Sequence, residues 1–213
     1  MQVCLASTSP ARLMLMRQTG IEPRLVAPDV DEDAVVIAIE QEEGRSLSPE
    51  EHVLLLARAK ALDVARRLAQ EGASGLVIGG DSMFELDGRI HGKPHTVDRA
   101  VERWRAMRGR TGVLHSGLAV ARIADGAVGA VVEETSAASV SFAADVDDAE
   151  IAAYVATGEP LEVAGAFTVD SLGSGFIERV DGDPSTVVGM SLSSLRRLVR
   201  ALGVEWTALW NRL

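Results

Sequence analysis

With 213 residues, 47% of them apolar and 4% aromatic, the chain is long enough for one α/β domain with a core of mainly Ala, Val, Leu and Ile. A formal net charge of −10 argues against a sequence-independent grip on DNA or RNA, which relies on a basic surface. One cysteine, Cys4, excludes an internal disulfide and a cysteine-rich zinc site.

No apolar run approaches the roughly 20 residues of a membrane span, and the N-terminus carries no signal-peptide pattern. The chain therefore reads as soluble and cytoplasmic, a single domain over residues 1–213 with neither nucleic acid nor membrane as partner.

Residues 2–6 read as a short buried strand with Cys4 inside it. The turn "STSP" follows, then a helix with Pro10 in its first turn and Gly20 past its end. Ser7, Thr8 and Ser9 put hydroxyls and N–H groups at a helix N-terminus, a natural phosphate seat. Plain capping by Ser or Thr explains the same turn.

"PRLVAPDVDED" reads as a strand running into an acidic turn. Ser48 and Glu51 form a capping box around Pro49 and open the longest helix. Along it Val53, Leu56, Ala57, Lys60, Val64 and Leu68 follow helical spacing. Lys60 thus lies in an apolar stripe, where a snorkelling lysine is the bland alternative.

Residues 75–81 read as a buried strand ending in Asp81. Asp87-Gly88 reads as a hairpin turn between "MFEL" and "RIHG". A helix follows, capped by Thr96 and stopped by Gly109. Two long antiparallel strands then meet at Asp125-Gly126. A helix ending at Gly158, a strand at "FIERV" and a last helix from "SLSS" complete the chain. Early alternation of strands and helices, followed by hairpins, predicts a mixed twisted sheet flanked by helices.

Chemistry concentrates in few places. Asp81 follows two glycines, which let the backbone approach a ligand or a neighbouring strand. Its carboxylate could hold a metal or take a proton from water, or merely cap a loop. Lys93, between Gly92 and Pro94, could meet a phosphate or be an ordinary surface lysine. Asp31, Glu32 and Asp33 could be a solvated loop or offer hard oxygen ligands to magnesium.

Lys60 and Lys93 are the two lysines in a chain with 21 Lys plus Arg. Ser7, Ser9, Arg12, Lys60 and Lys93 are phosphate-seeking; Glu32 and Asp81 are metal-seeking. The set suits metal-assisted phosphoanhydride hydrolysis. His91, His95 and His115 lie near this region without metal-pair spacing, and neither a nucleophile elbow nor a Walker A pattern occurs.

Six stretches in order, "LASTSPAR", "DVDE", "ARAKA", "GGDSMFELDGRIHGKP", "YVATGEPLEVAGAF" and "VVGMSL", resemble the Maf family of nucleoside triphosphate pyrophosphatases, most of all its actinobacterial members. The resemblance implies a two-lobed mixed α/β fold with a central cleft, related to the inosine-triphosphate pyrophosphatases. It implies hydrolysis of a nucleoside triphosphate, standard or modified, to the monophosphate and pyrophosphate with Mg2+ or Mn2+, by a protein that tends to dimerise and is in some cases linked to septum formation.

Carried over position by position, Asp81 matches the general base and Glu32 an acidic residue acting through metal, the pair forming the metal site. Lys60 and Lys93 match two lysines of the catalytic pocket. Ser7, Ser9 and Arg12 match the phosphate-binding first motif.

Three positions depart from the family's usual pattern and look like substrate-specificity positions. Ala11 stands where the first motif often has Arg, Ser82 where many members have Thr, and Asp170 where the pyrimidine-specific branch has Gln. An Asp facing a base favours an exocyclic amine or ring N–H over a uracil-type carbonyl. The rival from another class is a nucleotide-binding regulator of division without turnover; it would need no base such as Asp81.

Overall fold

The computed structural model describes residues 1–212. Two compact units emerge: Met1–Asp81, Ser116–Ser136 and Gly189–Leu213 in the first, Ser82–His115 and Ala137–Val188 in the second. Among the described residues the strands β1 (Gln2–Ala6), β2 (Arg24–Leu25), β3 (Gly75–Leu86), β4 (Arg89–His91), β5 (Thr111–Ala124), β6 (Ala127–Phe142) and β7 (Ile177–Asp181) form a seven-stranded sheet in the order β2-β1-β3-β5-β6-β7, with β4 paired to β3.

In the first unit β1 (Gln2–Ala6) lies parallel to both β2 (Arg24–Leu25) and the first half of β3 (Gly75–Leu86). The β1–β3 register pairs Cys4 with Val77 and Ala6 with Gly79. Cys4 is buried, and burial pushes its thiol up to about 11, so it serves as core rather than as a nucleophile. Helix α1 (Pro10–Gln18) begins at the proline the sequence marked, and Gly20 follows it at φ 80°.

Helix α3 (Pro49–Gln70) has the predicted capping box: Glu51 N–H donates to Ser48 Oγ at 3.2 Å and Ser48 N–H to Glu51 Oε2 at 2.8 Å. Its buried face is aliphatic, with Val53, Ala57, Ala61 and Val64 fully enclosed. Small residues let it press onto the sheet. A Cβ at Gly79 would stand 2.3 Å from Ala57 O, and one at Gly117 would stand 2.2 Å from Val53 O. No side chain fits at either point, so these glycines set the helix-to-strand distance.

At two places the backbone departs from the expectation. Residues 30–33 are not simply an acidic turn. Asp31 is an N-cap whose side chain accepts Ala34 N–H at 3.0 Å, and Glu32 opens helix α2 (Glu32–Glu43). Nor does a strand end at Asp81: β3 continues through it to Leu86. The burial pattern changes there from fully enclosed to half-buried alternation.

Both Asp-Gly hairpins form. Asp87 and Gly88 have φ of 51° and 72° between β3 and the antiparallel β4 (Arg89–His91); Asp125 and Gly126 have 53° and 73° between β5 (Thr111–Ala124) and β6 (Ala127–Phe142). Left-handed φ at both central residues matches the strand twist. Since β5 and β6 are sheet neighbours joined by two residues, they run antiparallel.

The second unit departs from the expected aliphatic core. Six of the chain's eight aromatic residues gather there: Phe84, Trp104, Phe142, Tyr154, Phe167 and Phe176. Trp104 comes from helix α4 (Val97–Met107) and Tyr154 from α5 (Asp148–Ala156). Trp104 meets Phe142 edge-on at 5.6 Å, and its ring N–H donates to Ala166 O at 2.7 Å. Edge-to-face pairing adds to the area buried.

Past α5 the chain runs through 3-10 turns at Glu159–Glu162, Ala164–Ala166 and Leu172–Phe176 before β7 (Ile177–Asp181), which pairs antiparallel with β6. Helices α6 (Pro184–Val188) and α7 (Leu192–Ala201), the latter capped by Ser191, follow. No helix among the described residues is long and apolar enough to cross a membrane.

Candidate active site

The carboxyl ends of parallel strands are where open α/β sheets hold ligands. β1 stops at Ala6 beside Gly79, while β3 continues two residues to Asp81. The register therefore brings the turn 7–9 alongside Gly80 and Asp81.

Within that turn Ser9 caps α1, accepting Arg12 N–H at 3.4 Å, so the capping reading of the sequence holds. Ser7 is buried, and its Oγ accepts Ser9 N–H at 3.1 Å and Arg12 Nη1–H at 3.4 Å. Arg12 also donates from Nε to Gly189 O at 2.9 Å. Its pKa is lowered chiefly by burial, against the opposing pull of Asp81 and Glu32. A Cβ at Gly80 would meet Arg12 Nε at 3.2 Å, so the bare strand leaves the guanidinium its path.

Opposite stands Lys60. Its Nζ is 2.7 Å from Asp81 Oδ1 and 2.9 Å from Glu32 Oε1. The lysine side chain is 9% exposed, Asp81 14% and Glu32 49%. The apolar stripe read from sequence is thus a buried face that delivers an ammonium to two carboxylates; it does not snorkel to water. Gly79 makes this reach feasible, because the close approach of α3 at Ala57 and Ala61 brings Lys60 over β3. Asp81 Oδ2 has no protein partner among the described residues, and its backbone O accepts from Ser116 Oγ at 3.4 Å.

The remaining candidates have other surroundings. Ala11 is half-buried on α1, and Ser82 is half-buried on β3 at the start of the second unit. Lys93 belongs to the second unit; 52% exposed, it makes a 3.8 Å ion pair with Glu162. Asp170 lies exposed in a bend of the same unit.

Sequence reasoning missed Ser116, which also reaches Gly189 O at 3.4 Å, and the spacing role of Gly117; at Gly79 it expected close approach to a ligand or a strand, where the neighbour is helix α3. The signal for the glycines was present: a small residue inside an otherwise bulky strand marks close approach. Ser116 carried no signal of its own.

A metal fits this donor set in one way. Glu32 and Asp81 converge on the Lys60 ammonium, and no cluster of three or more His, Cys, Asp or Glu suited to an ion occurs among the described residues. Two carboxylates, with the remaining ligands from water and phosphate, suit magnesium carried by a polyphosphate.

A family model described as a Maf-like protein matches residues 2–202. The chain belongs to the Maf family. A Leifsonia xyli protein called nucleoside triphosphate pyrophosphatase is 61% identical over 212 residues, covering 100% of this chain and 98% of its own. A Rhodococcus jostii protein of the same description is 51% identical over 207 residues, covering 97% and 94%. A solved structure of a Mycobacterium abscessus nucleoside-triphosphatase / dITP/XTP pyrophosphatase aligns over 95% of this chain and 97% of its own, at 15% identity and a TM-score of 0.36. At that score the Maf assignment rests on sequence alone.

Proposed function

We propose that this Maf protein is a nucleoside triphosphate pyrophosphatase that cleaves the α–β phosphoanhydride to release the monophosphate and pyrophosphate. The observation that carries the reading is the Lys60 ammonium gripping Asp81 and Glu32 at hydrogen-bond distance. It is supported by relatives of that description covering nearly the whole chain.

Asp81 is the general base. One of its oxygens is anchored by Lys60, which fixes the carboxylate's orientation; the other is left to take a proton from water attacking the α-phosphorus. Lys60 and Arg12 lie close to that carboxylate and offset the negative charge that grows as pyrophosphate leaves. Ser7 and Ser9 shape the turn that receives phosphate, and Lys93 binds phosphate from its Gly-Pro bend. Glu32 and Asp81 would hold a magnesium or manganese ion, which when bound neutralises phosphate charge.

Asp170 is assigned to reading the base and favours one that offers N–H donors, while Ala11 and Ser82 modulate specificity. The family resemblance adds a homodimer to this reading.

The test is a panel of ordinary and modified triphosphates with Mg2+ or Mn2+, following pyrophosphate and orthophosphate separately. Pyrophosphate without orthophosphate supports the reading. Orthophosphate as first product, or binding without turnover, overturns it. A preference for UTP above all other nucleotides would remove the role given to Asp170.

A further inference from the structure

Beyond that centre, one carboxylate has an unusual set of partners. Glu159, at the start of the 3-10 turn Glu159–Glu162, is held entirely by neutral donors. Its Oε1 accepts from the Tyr154 hydroxyl at 2.9 Å, from Gly173 N–H at 3.1 Å and from the Thr168 hydroxyl. Its Oε2 accepts from Ser171 Oγ at 2.7 Å and Leu172 N–H at 3.3 Å.

Tyr154 belongs to α5; every other donor belongs to residues 168–173. That segment has little regular structure until Leu172. Close packing joins the hydrogen bonds: a Cβ at Gly173 would stand 2.6 Å from the Tyr154 hydroxyl and 2.7 Å from Thr168 O. Glu159 is itself fixed from behind, since Gly158 turns the chain at φ 78° and Glu159 N–H donates to Thr157 Oγ1 at 3.2 Å.

We propose that Glu159 is a positioning residue, which clamps residues 168–173 to the end of α5 and thereby fixes Asp170, exposed between the Thr168 and Ser171 anchors. This rests on the role given to Asp170 above. A flexible bend would present an exposed carboxylate over many directions; a bend tied on both sides presents it in one. Burial alone would raise the Glu159 pKa, but its donors bring it down to about 2, so the clamp is ionised throughout the working range.

The experiment compares Glu159→Gln with the wild-type enzyme. The amide replaces one acceptor oxygen by a donor facing donors. Amide hydrogen exchange across residues 168–174 should quicken by about tenfold or more, the size of one hydrogen bond to a charged group. With the triphosphate panel, KM for the preferred nucleotide should rise by about tenfold while kcat stays within about threefold, and discrimination among bases should narrow, because uniform binding is lost without touching the base Asp81.

Ser171→Ala removes one donor, should shift exchange and KM the same way by less, and carries the test if Glu159→Gln fails to fold. Unchanged exchange in a folded variant would overturn the proposal, as would faster exchange with unchanged KM and base preference. A wild-type enzyme that turns over no triphosphate would fell the pyrophosphatase reading and the specificity arm with it, while exchange would still decide the clamp.

Discussion

The Lys60 ammonium sits 2.7 Å from Asp81 Oδ1, with 9% of the lysine side chain and 14% of the aspartate side chain exposed. A pair this enclosed is not a surface ornament. Breaking a buried pair by deleting one partner strands the other's charge, whereas exposed pairs contribute little.

Lys60→Met should therefore lower kcat by about 10²–10³, in line with removal of a preorganised donor. Lys60→Arg should not restore it. A planar guanidinium cannot offer one compact charge to both Asp81 and Glu32 as the ammonium does. Steady-state kinetics on both variants check this; wild-type rates for the arginine variant would contradict it.

Gly79→Ala should destabilise the protein by about 1–3 kcal/mol, because its Cβ has no room against backbone atoms of α3. Those atoms are Ala57 O and Ala61 N, 2.3 and 2.7 Å from where the Cβ would lie. Since the strain lifts the helix bearing Lys60, activity should fall as well. Urea denaturation and initial rates read the two effects, and a variant as stable as wild type would show that the contact is slack.

Lys93→Ala should separate function from stability. The side chain is 52% exposed and its ion pair with Glu162 is 3.8 Å long, an interaction worth about 0–1 kcal/mol. Melting temperature should stay put while kcat/KM drops by about tenfold or more, as expected for a lost phosphate contact. An unchanged kcat/KM would return Lys93 to the surface lysines.

Glu159 gives a pH-dependent stability with a definite sign. Its folded pKa of about 2 lies below its ordinary 4.5. Its contribution is therefore fully present above pH 4.5 and is lost as the pH falls towards 2. The stability gap between wild type and Glu159→Gln should be widest and flat near neutrality and should shrink between pH 4.5 and 3. Urea melts across that range would contradict this if the gap stayed constant.

Much of this arrangement was legible in the residues themselves. The Ser48–Glu51 capping box, Pro10, Thr96 and both Asp-Gly turns are local signals, and the backbone obeys each of them. Lys60 was marked by its place in an apolar stripe, and the fold turns that anomaly into the ion pairs.

Helix α2 was hidden because none of its residues is buried. Its "VVIAI" run lacks helical periodicity, and its acidic N-terminus reads equally well as a turn. The clamp at Glu159 was hidden because its donors are spread from Tyr154 to Gly173, through turns too short to leave a periodic signal. The aromatic core of the second unit escaped a composition argument, since a chain poor in aromatics can still gather most of them in one place.

The measurement that bears most directly on the central claim is the rate of pyrophosphate release by Asp81→Asn beside the wild type. The substitution keeps the size of the side chain and removes its capacity to take a proton. The account predicts pyrophosphate release by the wild type and a loss of about 10²–10⁴ in kcat for the variant, the usual worth of a general base. It also predicts that nucleotide binding is retained. A folded Asp81→Asn protein that keeps near-full turnover would contradict the account.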